Sequence, residues 1–196
     1  GRADSGCPDL NALLDRAVTL LAAGDIDGAR ATCESALAVE PDNARTLHLL
    51  GGVCGQAGDY AAACELLARA VVQQPDSAAV HTDLGNVQQL QHDQEGAERS
   101  YRRALDLDPG LMAAQLNLAR LLRSASRVPE ALPYFRAAYE TSPVLPGLLA
   151  EFVAVLLECE AGEEALAVTR SAVVLDGGNA NARRALGAVL QQADEP

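Results

Sequence analysis

An all-α fold built from repeated helix pairs is predicted by three observations. A 34-residue period places Pro41, Pro75, Pro109 and Pro143 at equal steps, each closing a short polar phrase. The same step carries small residues: Ala29, Ala63, Ala97, Ala131 and Ala165 form one column, and Ala36, Ala70, Ala104, Ala138 and Ala172 another. The composition is 49% hydrophobic with only 3% aromatics and no Trp. That suits closely packed helices better than a β-sandwich, which draws on β-branched and aromatic residues. A period of this length held without insertion is the mark of a stacked-repeat architecture.

Taken in order, residues 1–9 read as a flexible tail, and five units follow at 10–43, 44–77, 78–111, 112–145 and 146–179. Each unit holds two amphipathic stretches of about a dozen residues, the length of an ordinary helix. In the first two units Gly24-Asp25 and Gly58-Asp59 mark the inner turn. Glycine closes one helix in the left-handed conformation, and aspartate caps the next. In the third unit, VQQLQHDQ puts Gln88 and Gln94 in columns that are aliphatic elsewhere. Buried glutamine needs partners, so either the stack opens there or these side chains reach a neighbouring chain. In the fourth unit Pro129 fits the first turn of the second helix, where its missing N–H costs nothing. In the fifth, Gly177 stands on the proline column. Residues 180–196 read as a closing helix, Ala180–Gln192, and a tail.

Two further columns identify the pattern. Ala17, Gly51, Gly85, Ala119, Val153 and Gly187 are nearly all small, and Cys33, Leu67, Tyr101, Phe135 and Thr169 are mostly large. The third and fourth units show the sequence best, as Gly85, Ala97, Tyr101, Ala104, Pro109 and then Ala119, Ala131, Phe135, Ala138, Pro143. This resembles the tetratricopeptide repeat. The resemblance spans residues 10–179 and implies a right-handed superhelical solenoid with a concave groove. It also implies that Gly51 lies where the two helices of a unit cross most closely, with Ala63 as its partner. Arg16 at a leucine place, and Val153, Thr169 and Gly177 in the fifth unit, depart from the pattern and imply looser packing at both ends.

By the same resemblance the first helix of each unit lines the groove and holds peptides. Asn86, Asn117, Arg120 and Arg123 then form an anchoring patch on the third and fourth units. Asn pairs with a peptide backbone through both donor and acceptor, and Arg forks onto a carboxylate. The alternative is an ordinary solvated helix face. His48 stands beside Gly52 and Gly55, which leave bare backbone for close approach of a ligand, unless they are simple drift in a chain rich in Ala and Gly. Asp15, Asp83 and Glu151 recur on alternate units and would attract a basic peptide if they act together. Family members that grip acidic chaperone tails use two lysines, two asparagines and an arginine. Here Asn86 and Asn117 take the asparagine places, but Thr82, Gly147 and Glu151 take the basic ones. That clamp is absent in this register, leaving Thr82 as a groove contact only.

The net charge of −12 argues against nucleic acid, which needs a basic face, and against an anionic membrane surface. No apolar run is long enough for membrane insertion. Five cysteines, an odd number without a CxxC pair, disfavour a disulfide framework or a zinc site and read mostly as small buried hydrophobes. His48, His81 and His92 form no HxxxH or HExxH pair, so no metal site is expected. Asp106-Leu107-Asp108 resembles a metal-binding DxD but reads as the end of a repeat. No nucleophile elbow, phosphate loop or dinucleotide fingerprint occurs, so no catalytic residue, no cofactor and no enzyme activity is expected of this chain. The start at Gly1-Arg2 without Met reads as a trimmed or processed form, and no secretory signal is visible. The compartment stays open, with the cytoplasm favoured over the periplasm.

The expected function is a scaffold that binds a peptide or partner protein in its groove. The phrases LHLLG, HTDLGN and YRRALDLDP resemble bacterial repeats that precede glycosyltransferase, sulfotransferase or oxygenase domains. They imply the substrate-docking part of a larger modifying enzyme. The alternative is a structural module that forms homo-oligomers through its open ends.

Overall fold

The computed structural model describes residues 9–175 and 178–194, with the side chains of 193 and 194 left aside. The tail 1–8 with Cys7, the column position Gly177 and the last two residues lie outside the described residues. Two compact units divide the chain, Gly1–Pro109 and Gly110–Pro196. Among the described residues every regular element is helical.

The first unit holds α1 (Leu10–Ala22), α2 (Ile26–Val39), α3 (Ala44–Gln56), α4 (Tyr60–Gln73), α5 (Ala78–Leu90) and α6 (Gln94–Leu107). Each helix packs on the next in sequence, and α1, α3 and α5 also touch in succession. All six carry an N-cap whose side chain accepts from the first turn: Asp9, Asp25, Asn43, Asp59, Ser77 and Asp93. Gly24 and Gly58 both take φ +80 at the inner turn. His92 takes φ 64 at the matching place in the third helix pair, a left-handed conformation adopted without glycine.

The core is made by the repeat columns. Ala29, Ala63 and Ala97 are fully buried, as are Cys33, Leu67 and Tyr101. At Gly51 an added Cβ would lie 2.7 Å from Leu67 Cγ and 3.5 Å from the carbonyl oxygen of Ala63. The tightest neighbour is therefore the large-column side chain, not the expected Ala63. At Gly85 the same test meets the Tyr101 ring at 2.6 Å. The small and large columns are two halves of one packing contact. Of the two glutamines only Gln88 is half-buried, and it finds a partner within the chain. Gln88 accepts from Ser100 Oγ at 2.6 Å within its own helix pair, and Gln94 is exposed.

The second unit holds α7 (Met112–Ser124), α8 (Val128–Thr141), α9 (Leu148–Glu158), α10 (Gly162–Leu175) and α11 (Ala180–Asp194). Ala131, Phe135, Ala138 and Ala165 are fully buried, and Thr169 is buried with its hydroxyl donated to the Ala165 carbonyl. Tyr139 and Phe152 pack with ring centroids 5.3 Å apart. The helix starts differ from those of the first unit: α7, α8 and α9 begin at Leu111, Arg127 and Gly147 with no side-chain cap. Gly147 at φ 83 delays α9 until Leu148, two residues after the unit boundary read at Pro146. Pro133 sits inside α8, a position the period alone does not flag.

Candidate peptide-binding surface

In the first unit, one face of α1, α3 and α5 encloses an open depression of about 320 Å³. Its floor is apolar, formed by Leu14, Val18 and Leu21 of α1 and Leu49 of α3. Val18 is 53% exposed, so part of this floor is open to solvent. Gly52 opens the middle of the floor, because a Cβ there would meet nothing within 4 Å. The rim is polar, with Asp15, Arg45, His48 and Asp83.

His48 Nε2 lies 2.6 Å from Asp83 Oδ2 and joins α3 to α5. The pairing runs on along α5. Asn86 Nδ2 donates to Asp83 Oδ1 at 3.4 Å, and Asn86 Oδ1 accepts from the Tyr101 hydroxyl at 2.9 Å. The same hydroxyl lies 3.0 Å from Gln89 Oε1. Tyr101 is fully buried, and burial pushes its phenol up to about 12. A buried ring thus fixes the orientation of Asn86 from below. Thr82 is only 5% exposed and donates its hydroxyl to the Ala78 carbonyl, so it lies beneath the surface it was expected to line. Gly55 faces inward as well, since its notional Cβ meets Val87 at 3.8 Å and Ala63 at 4.0 Å. The structure therefore gathers His48, Gly52 and Asp83 at one depression and leaves Thr82 and Gly55 out of it.

In the second unit, Asn117, Arg120 and Arg123 lie on α7 with helical spacing. Arg120 forks onto Glu151 of α9 with two bonds of 2.8 Å. Arg123 binds Glu158 of α9 at 2.5 Å through Nη2. The guanidinium of Arg120 is held in its charged form by that hydrogen bond to Glu151. Both arginines already hold carboxylates, supplied by their own chain. Glu158 was missed by sequence reasoning, although a signal exists: it follows Arg123 by one period plus one residue, the same offset as His48 to Asp83.

Among the described residues no group of three His, Cys, Asp or Glu side chains is placed to hold a metal. No helix among them is long and apolar enough to cross a membrane. The described cysteines are free thiols. Burial pushes Cys33 up to about 11 and raises Cys54 and Cys64 as well.

Two family models, each described as a tetratricopeptide repeat, match residues 9–88 and 82–146. The chain belongs to the tetratricopeptide repeat family. Comparison with curated proteins finds no significant match. Among solved structures, the MamA protein aligns with TM-score 0.72 at 21% identity, covering 84% of this chain and 90% of that one. YrrB, described as a TPR protein with an unusual peptide-binding site, aligns with TM-score 0.69 at 20% identity, covering 90% and 91%. An O-GlcNAc transferase of Thermobaculum terrenum is 34% identical with TM-score 0.59, over 65% of this chain but 26% of that one. The tetratricopeptide repeats here form an all-α helical-repeat solenoid, and they support a role in protein–protein interaction.

Proposed function

We propose that the chain is an interaction scaffold that holds an extended segment of a partner protein against the first helices of its repeats. The observation that carries this reading is the depression of the first unit. It joins an apolar floor exposed at Val18, an open notch at Gly52 and polar groups on one face of α1, α3 and α5. Backbone approach at Gly52 and hydrogen bonding by Asn86 suit a main chain better than a compact ligand. The second unit has a set of anchors of its own, Asn117, Arg120 and Arg123, with an incoming carboxylate exchanging for Glu151 or Glu158. The unusual peptide-binding site ascribed to YrrB accords with this use of the fold. The chain itself supplies no chemistry in this reading.

Selection from a random peptide library on the purified protein tests it. Peptides that bind the parent protein should lose binding to Gly52→Leu, which fills the notch, or to Arg120→Ala. If every selected peptide binds both variants as well as the parent, the groove is not the site.

The likeness to the O-GlcNAc transferase favours a second, compatible reading, in which these repeats dock substrates for a larger modifying enzyme. An assembly role rests on a different observation. Gly187, on the small column, has open space where Gly51 and Gly85 are covered, and Leu190 nearby is 41% exposed. Sedimentation over a range of concentrations separates the two, since growth of assemblies without ligand would favour the structural role.

A further inference from the structure

In the second unit α11 packs against α9 and α10 and buries Ala182 and Val189. Another face of the same helix is open. Arg183, Leu186, Gly187 and Leu190 stand one period after Leu149, Phe152, Val153 and Leu156 of α9, all of which are buried. On α11, Leu186 is only half-buried, and Arg183, Gly187 and Leu190 are exposed. In α3 and α5 the small column is covered by the second helix of the pair, with Leu67 over Gly51 and Tyr101 over Gly85. A Cβ at Gly187 meets nothing within 4 Å. Among the described residues α11 therefore presents a helix-pairing face with no helix on it.

On the assembly role, and independently of the groove, we propose that α11 pairs antiparallel with α11 of a second copy, giving a two-fold dimer. A two-fold contact needs a patch that complements itself. This face carries both halves of the packing contact, a notch at Gly187 and a leucine three residues on, about 4.5 Å along the axis. Each Leu190 enters the Gly187 notch of the other copy, as Leu67 covers Gly51. That register sets the Arg183 position of one copy opposite the Asp194 position of the other, residues of opposite charge in the sequence. A parallel pairing would instead set Arg183 beside Arg183, at a cost from like charges. One helix about 22 Å long offers a contact at the small end of specific interfaces, so the dimer is weak.

Sedimentation equilibrium from about 1 to about 500 μM, the range a small interface calls for, tests this. The parent should pass from monomer to dimer and stop there, because a two-fold contact closes on itself. Leu190→Glu and Gly187→Leu should each weaken the dimer about tenfold or more, while circular dichroism shows both as helical as the parent. Gly187→Leu is the sharper of the two. It adds apolar surface in open space, so general stickiness would tighten association, whereas a filled notch loosens it. Arg183→Glu should weaken the dimer about tenfold, and Arg183→Glu combined with Asp194→Arg should restore it. A dimer untouched by Leu190→Glu, tightened by Gly187→Leu or not restored by the charge swap would overturn the pairing while the assembly role stands. Growth beyond two copies would do the same. A parent that stays monomeric at every concentration would overturn both, and leave the face to a helix of a different protein.

Discussion

Two neighbouring glycines, Gly51 and Gly52, have very different surroundings. Gly51 lies under Leu67, while Gly52 faces an empty depression. Gly85 repeats the situation of Gly51 under the Tyr101 ring. A methyl group at Gly85 must push aside a buried ring that is also hydrogen bonded, and overpacking of this kind costs about 1–3 kcal/mol. At Gly52 alanine meets nothing and relieves a helix of its least favourable interior residue, worth up to about 1 kcal/mol. Urea denaturation should therefore show Gly85→Ala destabilised and Gly52→Ala stabilised. Equal and same-signed shifts would contradict the packing described at these two positions.

At the level of elements, the same turn is built five times with four residue types. Gly24 and Gly58 adopt positive φ freely, whereas His92, Ser126 and Glu160 do so with side chains. The first two turns were legible in the sequence as Gly-Asp, and the other three were not, because nothing in a His, Ser or Glu announces a left-handed backbone. The 34-residue frame places them all the same. Pro133 shows the frame overriding local preference. It lies inside α8 and removes the N–H that would bond the Pro129 carbonyl, yet the helix continues. Ala131, Phe135 and Ala138, all fully buried, hold it in register. Pro133 itself is exposed, so Pro133→Ala restores a hydrogen bond without touching the core. Thermal unfolding should show a gain approaching about 3 kcal/mol. No gain would mean that the helix is already relaxed around the ring. The core columns were legible because they follow the period, whereas Thr82 and Gly55 follow the same period yet lie beneath the face they were expected to line. The ion pairs were missed because they join residues of different columns, Arg123 reaching Glu158 at one period plus one residue.

Across the whole molecule, alkaline pH should act first on the first compact unit, which contains both strongly shifted buried groups. Burial pushes Cys33 up to about 11 and Tyr101 up to about 12, from ordinary values of 9.0 and 10.0. In the unfolded chain each group gives up its proton earlier than in the folded one. Each therefore supports the fold fully below its unfolded pKa, and that support, about 2–3 kcal/mol per group, drains away as pH rises through the folded value. Stability should decline between pH 9 and 12. Tyr101→Phe should flatten the upper part of that decline and Cys33→Ala the lower part, as followed by circular dichroism on heating at stepped pH. An identical decline in both variants would place the alkaline sensitivity elsewhere.

The bonds between successive first helices carry one more consequence. His48 to Asp83, and Arg120 and Arg123 to Glu151 and Glu158, tie the wall that a ligand would touch. A guest that captures Arg120 must take it from Glu151, leaving Arg123 and Glu158 as the remaining ion pair between α7 and α9. Occupancy then weakens one of the two ties along that wall, so a ligand there and the grip of α7 on α9 work against each other.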